Sequence, residues 1–395
     1  MIRRLFCPQI PRVLYRSRGQ ASADALELVL SFGVMILLGS LLGYLIVSTP
    51  SQVPLFLSVA TPLFLLAFFR MDIALAFVIA AMLLSPEIGV GSIPKREVTI
   101  RIEDLLIVVL GMAWFARSAV MKGSALIPRT AVNRLVGVYC ACFLVSTLRG
   151  MITDHVNPVK GAFFVLKYLE YFILFYVAVG TIVRRQQYKV YLTVFFLTLI
   201  VVNIYAYTQI GFGRVSAPFE GVEGEPNTLG GYQVLMMSVA LGLFCHLKSW
   251  KLRWLMAGIV LFTVPPFLYT LSRASYMAFI PAYLSLIVFH RGRQKAVLIG
   301  ALVAAVVVGI FFIPVQVRQR VDYTFQPQYQ AGLPAAEVFG VKLDPSASAR
   351  MQDWQQVFEA WKKAPFFGYG VTGQRFLDGM YLKNLAELGM VGFLA

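Results

Sequence analysis

The sequence predicts an all-α fold, a polytopic membrane bundle of about twelve helices with a partly helical extracytoplasmic loop before the last one. Three observations lead there. Of 395 residues, 58% are hydrophobic and only 14% charged, whereas a soluble domain carries about a quarter charged residues and needs a polar surface that these counts cannot cover. Apolar runs of the length that crosses a hydrocarbon core of about 30 Å recur along the whole chain. Basic residues gather in alternate connections between those runs. Such a chain is neither a secreted nor a cytosolic enzyme, and its helices are required because backbone polar groups in lipid must be satisfied within the segment.

Residues 1–24 read as a basic cytoplasmic tail, and residues 25–313 as a bundle of about eleven helices. The runs fall near Ala25–Val47, Val53–Phe69, Ile73–Gly89, Asp104–Val120, Leu135–Leu148, Ala162–Val183, Val190–Ile210, Leu229–Leu247, Trp254–Leu271, Ser275–Phe289 and Ala296–Ile313. The third is cleanly apolar only to Leu84 and the fifth is short. Regular barrel-type alternation is absent. The first run exceeds the apolar core of a signal peptide, and the spans after it make it an uncleaved anchor. A final helix starts at Tyr381 and reaches Ala395, the last residue of the sequence, so the natural protein is expected to continue.

The formal net charge of +16 is a topology signal. With the N-terminus inside, nineteen basic residues lie in the cytoplasmic segments, and only Lys95, Arg96, Arg101, Arg149, Lys160, Arg214 and Arg273 lie in the short outer loops. Opposed only by Asp24, Glu27 and Asp72, the inner set accounts for the whole excess. The basic character therefore implies membrane orientation and no nucleic-acid partner.

Cys140 and Cys142 share a span but point to nearly opposite faces, and Cys7 and Cys245 lie on the cytoplasmic side, so no structural disulfide is expected. The Cys and His residues have no metal-ligand spacing, and no phosphate loop or dinucleotide fingerprint is present. Neither a metal nor a cofactor is expected.

Two longer outer segments are where chemistry is expected: Gly211–Asn227 and Pro314–Met380, the extracytoplasmic loop of residues 314–380. In the second, Met351, Trp354, Phe358 and Trp361 follow the spacing of one helical face. Asp344-Pro345 gives a start and Pro365 and Gly368 a stop, which predicts an amphipathic helix over 345–363 lying on the outer face of the bundle.

Four outer segments carry a pattern: Arg214 leading into EPNTLGGY (225–232), the SRAS turn (272–275), SARMQDWQQVFEAWKKAPFFGYG (348–370) and DGMYLKNLAELGMVGFLA (378–395). Taken in this order, they resemble the O-antigen ligase and polymerase family of membrane glycosyltransferases, from about Val190 to the end. The resemblance implies an integral membrane enzyme of the bacterial cytoplasmic membrane, facing outward, whose donor is an undecaprenyl-diphosphate-linked glycan. It implies no metal and no nucleotide sugar, and a setting among other polysaccharide assembly proteins.

Arginine suits such a donor, because the guanidinium stays charged and donates to phosphate oxygens in a bidentate fork. Arg214, Arg273 and Arg350 are the candidates for binding it, with Glu225 and Asn227 beside Arg214. Arg273 is also a catalytic candidate, because a charge at the outer end of apolar spans is costly without a role. The alternatives are a helix-end cap for Arg273, a solvated loop side chain for Arg214 and a salt bridge for Arg350. Asn227 and Thr228 also suit a cap of the eighth span.

Glycosyl transfer needs a group that takes or steers the acceptor proton. Family ligases carry a His just before the last span, where this chain reads Asp378-Gly379-Met380. Asp378 is the candidate base, or alternatively an ordinary N-cap; Glu220, Glu223 and Glu225 are further carboxylates. The missing His favours a polymerase of lipid-linked repeats over a ligase that caps a lipid or protein acceptor. A transporter of the same lipids is the alternative from another class, but it would be expected to show internal repeats or midplane polar sites. Lys167 and Glu170, i and i+3 within a span, are expected to pair with each other structurally.

Overall fold

The computed structural model describes residues 52–93, 96–120, 127–220, 224–312, 314–325, 337–338, 341–342, 345–374 and 379–395. The expected first span, Asp344, Glu223 and Asp378 fall outside them. Among the described residues, six helices are long and apolar enough to cross a membrane, and shorter apolar helices accompany them. The chain is a polytopic helical membrane protein.

The chain divides into two compact units. One comprises Met1–Leu75 with Val109–Leu126. Its first described helix, α1 (Gln52–Phe69), is followed by the start of α2 (Met71–Leu84). Arg70 between them meets the Asp72 carboxylate at 3.3 Å. The C-terminal half of α3 (Ile102–Val120) belongs to the same unit, and Arg117 donates to the Phe68 carbonyl at 3.1 Å.

The second unit, Ala76–Val108 with Ile127–Ala395, holds the rest. The third apolar run stops being helical at Leu84, and an antiparallel hairpin follows: β1 (Glu87–Ile93) and β2 (Arg96–Arg101), with a bulge between Gly89 and Gly91. Strand pairing from Glu87 corrects the expected span end at Gly89. Then come α4 (Asn133–Ile152), α5 (Pro158–Thr181), α6 (Arg185–Gln209), α7 (Pro226–His246), α8 (Trp250–Tyr269), α9 (Arg273–Phe289) and α10 (Gly292–Phe312). After these follow α11 (Val315–Phe325), a two-residue pairing of β3 (Glu337–Val338) with β4 (Val341–Lys342), α12 (Pro345–Lys363) and α13 (Met380–Leu394).

The starts obey local chemistry. Asn157 caps α5 by accepting from the N–H groups of Val159 and Lys160, at 3.1 and 3.2 Å, with Pro158 at the first position. Ser272 caps α9 by accepting from Ser275 N–H at 3.2 Å. α7 begins at Pro226, so Asn227 already lies inside the helix and is not its cap.

α7 is the centre of the second unit and packs on α6, α8 and α9. Leu199, Val202, Leu229, Met236 and Ala240 are buried there. A polar chain crosses the same three layers: Gln233 Nε2 donates to Asn203 Oδ1 at 2.8 Å, and Asn203 Nδ2 donates to Thr263 Oγ1 at 2.9 Å. Such bonds between spans contribute about 1 kcal/mol each and fix register where apolar packing alone is weakly directional.

Lys167 has a partner beyond the one its spacing names. Its Nζ lies 3.1 Å from Asp104 on α3, and its charge also acts on Glu170. Side chains three apart on one helix meet along its own surface, whereas Asp104 reaches Lys167 from another element.

Candidate functional site

Residues 211–220 are pinned to the turn between α8 and α9. Gln209, at the end of α6, holds Ser216 through both its amide groups, donating to the Ser216 carbonyl and accepting from its N–H, at 3.0 and 3.1 Å. Val215 N–H donates to the Tyr269 carbonyl at 3.0 Å. Arg214 is thereby carried to the turn, where its Nε donates to the Thr270 carbonyl at 3.1 Å.

The turn itself is tight. Leu271 sits at φ +49°, in the left-handed region that bulky residues avoid. Thr270 Oγ1 donates to the Phe267 carbonyl and accepts from Ser272 N–H, at 2.7 and 3.3 Å. Ser272 Oγ donates to Asn227 Oδ1 at 2.7 Å and lies 2.8 Å from Ser275 Oγ. Gly230 leaves the room for this approach, since a Cβ there would lie 2.8 Å from the Ser275 Cβ. The small residues of EPNTLGGY and SRAS are thus two halves of one corner.

Arginines converge on that corner. The Arg214 pKa is lowered by partial burial first, then by the charges of Arg320 and Arg273, with Tyr276 acting in the opposite direction. A guanidinium stays protonated in proteins, so the lowering marks burial together with nearby positive charge, and not loss of its own charge. Arg273 is the first residue of α9, and Arg320 lies on α11, which packs on α8. Arg273 and Arg320 each act on Arg214, and guanidinium groups gathered in this way suit a ligand carrying more than one negative charge.

The expected site residues separate into groups. Arg214, Asn227 and Arg273 come together at the corner. Glu225 stands beside it, accepting from Thr228 Oγ1 at 2.8 Å. Arg350 is exposed on α12, whose packing partner is α13. Asp378 lies outside the described residues. Arg320 was not singled out from the sequence; its only signal was a basic VRQR start to the long outer segment. Glu220 is buried and accepts from the N–H groups of Glu225 and Ala217 through one carboxylate oxygen, at 2.8 and 3.2 Å. Burial pushes its pKa up to about 7 against those two hydrogen bonds.

The second assembly is the loop after α12. α13 is broken at Gly389, φ +68°, where a Cβ would stand 2.7 Å from the Gly368 nitrogen. The segment Pro365–Gly370 lies along the break. Met390 and Val391 N–H donate to the Pro365 and Phe366 carbonyls, at 2.8 and 3.3 Å, and Tyr369 and Gly370 N–H donate to the Ala386 and Glu387 carbonyls, at 3.0 and 2.8 Å. Ser146 on α4 donates to the Glu387 carbonyl at 2.5 Å and also to the Phe367 carbonyl. The Glu387 carboxylate accepts from Thr372 N–H at 3.0 Å and from the Tyr168 hydroxyl at 3.3 Å. The backbone groups freed by a helix break need partners within the protein, and APFFGYG supplies them here.

The amphipathic helix exists as expected, over Pro345–Lys363, but its buried stripe differs. Val357 is buried with Leu382, Leu385 and Ala386, with Trp361 against them, while Trp354 and Phe358 are 50% and 43% exposed. A His outside the expected motif also reaches this region: the His155 ring lies 5.2 Å from that of Tyr369.

No curated protein and no solved structure matches the chain. Residues 258–395 match the family model described as O-Antigen ligase. The matched segment, about a third of the chain, runs from within α8 through α13 and includes Arg273, Arg320, Arg350, the APFFGYG loop and the helix break. Over residues 258–395, the chain is similar to the O-antigen ligase domain.

Proposed function

We propose that the protein is a glycosyltransferase that polymerises undecaprenyl-diphosphate-linked oligosaccharide repeats on the outer side of the cytoplasmic membrane. The observation that carries this reading is the placement of Arg214 and Arg273 at the α8–α9 turn, with the charge of Arg320 also acting on Arg214. A lipid diphosphate carries its charge at the membrane interface with its tail in the bilayer. Guanidinium groups at the end of apolar helices suit that headgroup, and they stabilise the diphosphate further as it departs with the electrons of the broken glycosidic bond. Asn227 and Thr270 hold Arg214 in place for this role. The acceptor hydroxyl gives up its proton to a base, for which Asp378 is the candidate. In this reading the N-terminus is cytoplasmic, and the Gly211–Glu225 and Pro314–Gly379 segments face outward.

The test is the purified protein in liposomes with lipid-linked repeat units, read by the length of the glycan product. Longer chains are expected from the wild type, and Arg273→Ala should lower the rate at least a hundredfold. Full activity of Arg273→Ala would remove the donor site from this corner. Transfer of one finished glycan to a lipid or protein acceptor, without elongation, would instead assign the ligase activity that the matched domain's description favours. Counterflow of lipid-linked glycan with no new glycosidic bond would assign transport.

A further inference from the structure

Away from the arginine corner, a groove of about 370 Å³ lies between α12 and the loop that follows it. Gln355, Gln356, Glu359 and Lys363 line it from the helix, and Tyr369 and Gln374 from the loop. Positions 355, 359 and 363 recur every four residues and so share one face. That face points away from Val357 and Trp361, which pack toward α13. The packing of α12 on α13 thus leaves this polar row outward, and the volume lies within the range of roughly 300–1,000 Å³ typical of small-ligand sites.

The chemistry of the lining selects a ligand class. Three primary amides each offer donors and an acceptor. One carboxylate and one ammonium leave no net charge, so a phosphate would meet the Glu359 carboxylate as well as the Lys363 ammonium. A lipid tail would find only Ala360 and the ring of Tyr369. A neutral polyhydroxyl compound fits: its hydroxyls both donate and accept, and its C–H faces stack on an aromatic ring. Glu359 is held ionised by Lys362, whose Nζ lies 2.7 Å from its Oε1.

Tyr369 is fixed before any ligand arrives. Its hydroxyl donates to the Ala360 carbonyl at 3.0 Å and its N–H to the Ala386 carbonyl at 3.0 Å, and the His155 ring abuts its own. A ring immobilised by α12, α13 and the α4–α5 loop loses little further freedom on binding.

We propose that this groove is a saccharide subsite, which holds neutral sugar units of the glycan chain some way from its diphosphate. The identity of that glycan rests on the glycosyltransferase reading above; the binding of sugar can be measured without it.

The test is saturation-transfer NMR on the full chain in lipid nanodiscs, with maltotriose and triacetylchitotriose as probes and inorganic diphosphate as the charged control. The wild type should transfer saturation to at least one trisaccharide. Gln355→Leu/Gln356→Leu, at two exposed positions of an intact helix, should reduce that signal at least fivefold, and Arg273→Ala should leave it unchanged. The double variant should also raise the acceptor KM in the transfer assay about tenfold, with kcat nearly unaltered. Saturation of neither sugar, or a signal that survives in the double variant, overturns the subsite. Sugar binding as expected in a protein that transfers no lipid-linked glycan overturns the glycosyltransferase reading and leaves the subsite standing.

Discussion

Arg214 and Asn227 meet across the loop that separates them, with Nη2 3.5 Å from an Oδ1 that also accepts a 2.7 Å hydrogen bond from Ser272. The amide oxygen ties a loop arginine to the cap of α9, and so to Arg273 at the first position of that helix. Asn227→Ala should therefore lower kcat for glycan transfer about tenfold to a hundredfold, the loss expected when about 1–3 kcal/mol of positioning is removed. Asn227→Asp, which keeps an acceptor oxygen, should recover much of it. Equal losses in both variants would show that Asn227 does not act through that oxygen.

The close approach of α7 to α9 makes Gly230 and Gly231 unequal. Gly230→Ala drives a methyl group against Ser275, whereas nothing lies within 4 Å of a Cβ at Gly231. The first substitution should destabilise the protein by about 1–3 kcal/mol, and the second should be close to neutral. Thermal unfolding of both variants in the same detergent checks this.

Glu220 makes stability depend on pH. Burial raises its pKa from 4.5 to about 7, so between those values the folded protein holds a proton that the unfolded chain releases. Stability from this group is therefore complete below about pH 4.5, falls as pH rises to about 7 and is flat above it, with a total on the order of 3 kcal/mol. Glu220→Gln should abolish this slope and raise the melting temperature at pH 8. A melting profile of the variant parallel to that of the wild type between pH 5 and 8 would contradict the assignment.

Lys167 separates two accounts of the same charges. With its Nζ 3.1 Å from Asp104, Lys167→Met should cost about 1–3 kcal/mol by stranding a poorly solvated carboxylate, and adding Asp104→Asn should return part of that. Glu170→Gln should show a smaller coupling to Lys167→Met than Asp104→Asn does. A double-mutant cycle on unfolding in detergent measures both couplings.

The sequence reading was strongest where one helix decides its own fate. Hydropathy and length located the helices from Gln52 to Phe312 to within about five residues at each end, because a long apolar run in lipid satisfies its backbone groups within itself. Partners far apart in sequence were not legible: nothing in the spacing of Lys167 names Asp104, and nothing in VRQR brings Arg320 to Arg214. The hairpin Glu87–Arg101 was hidden because its first strand continues an apolar run. On α12 the heptad-like row of large residues drew attention to Trp354 and Phe358, whereas the shape of α13 selects the smaller Val357. The contact of His155 with Tyr369 depends on how α4 meets the APFFGYG loop, which no local pattern encodes.

The break at Gly389 also sets how the cap can move. Four backbone hydrogen bonds join residues 365–370 to α13 on both sides of the break, and opening them would strand eight polar groups beside a span. α12 cannot swing as a hinged lid on the loop that follows it, because that loop is stitched into the last helix. Admission of a substrate along this face requires α12 and α13 to shift together as one latch, so the cap's freedom is set by how tightly the last helix is held against α4.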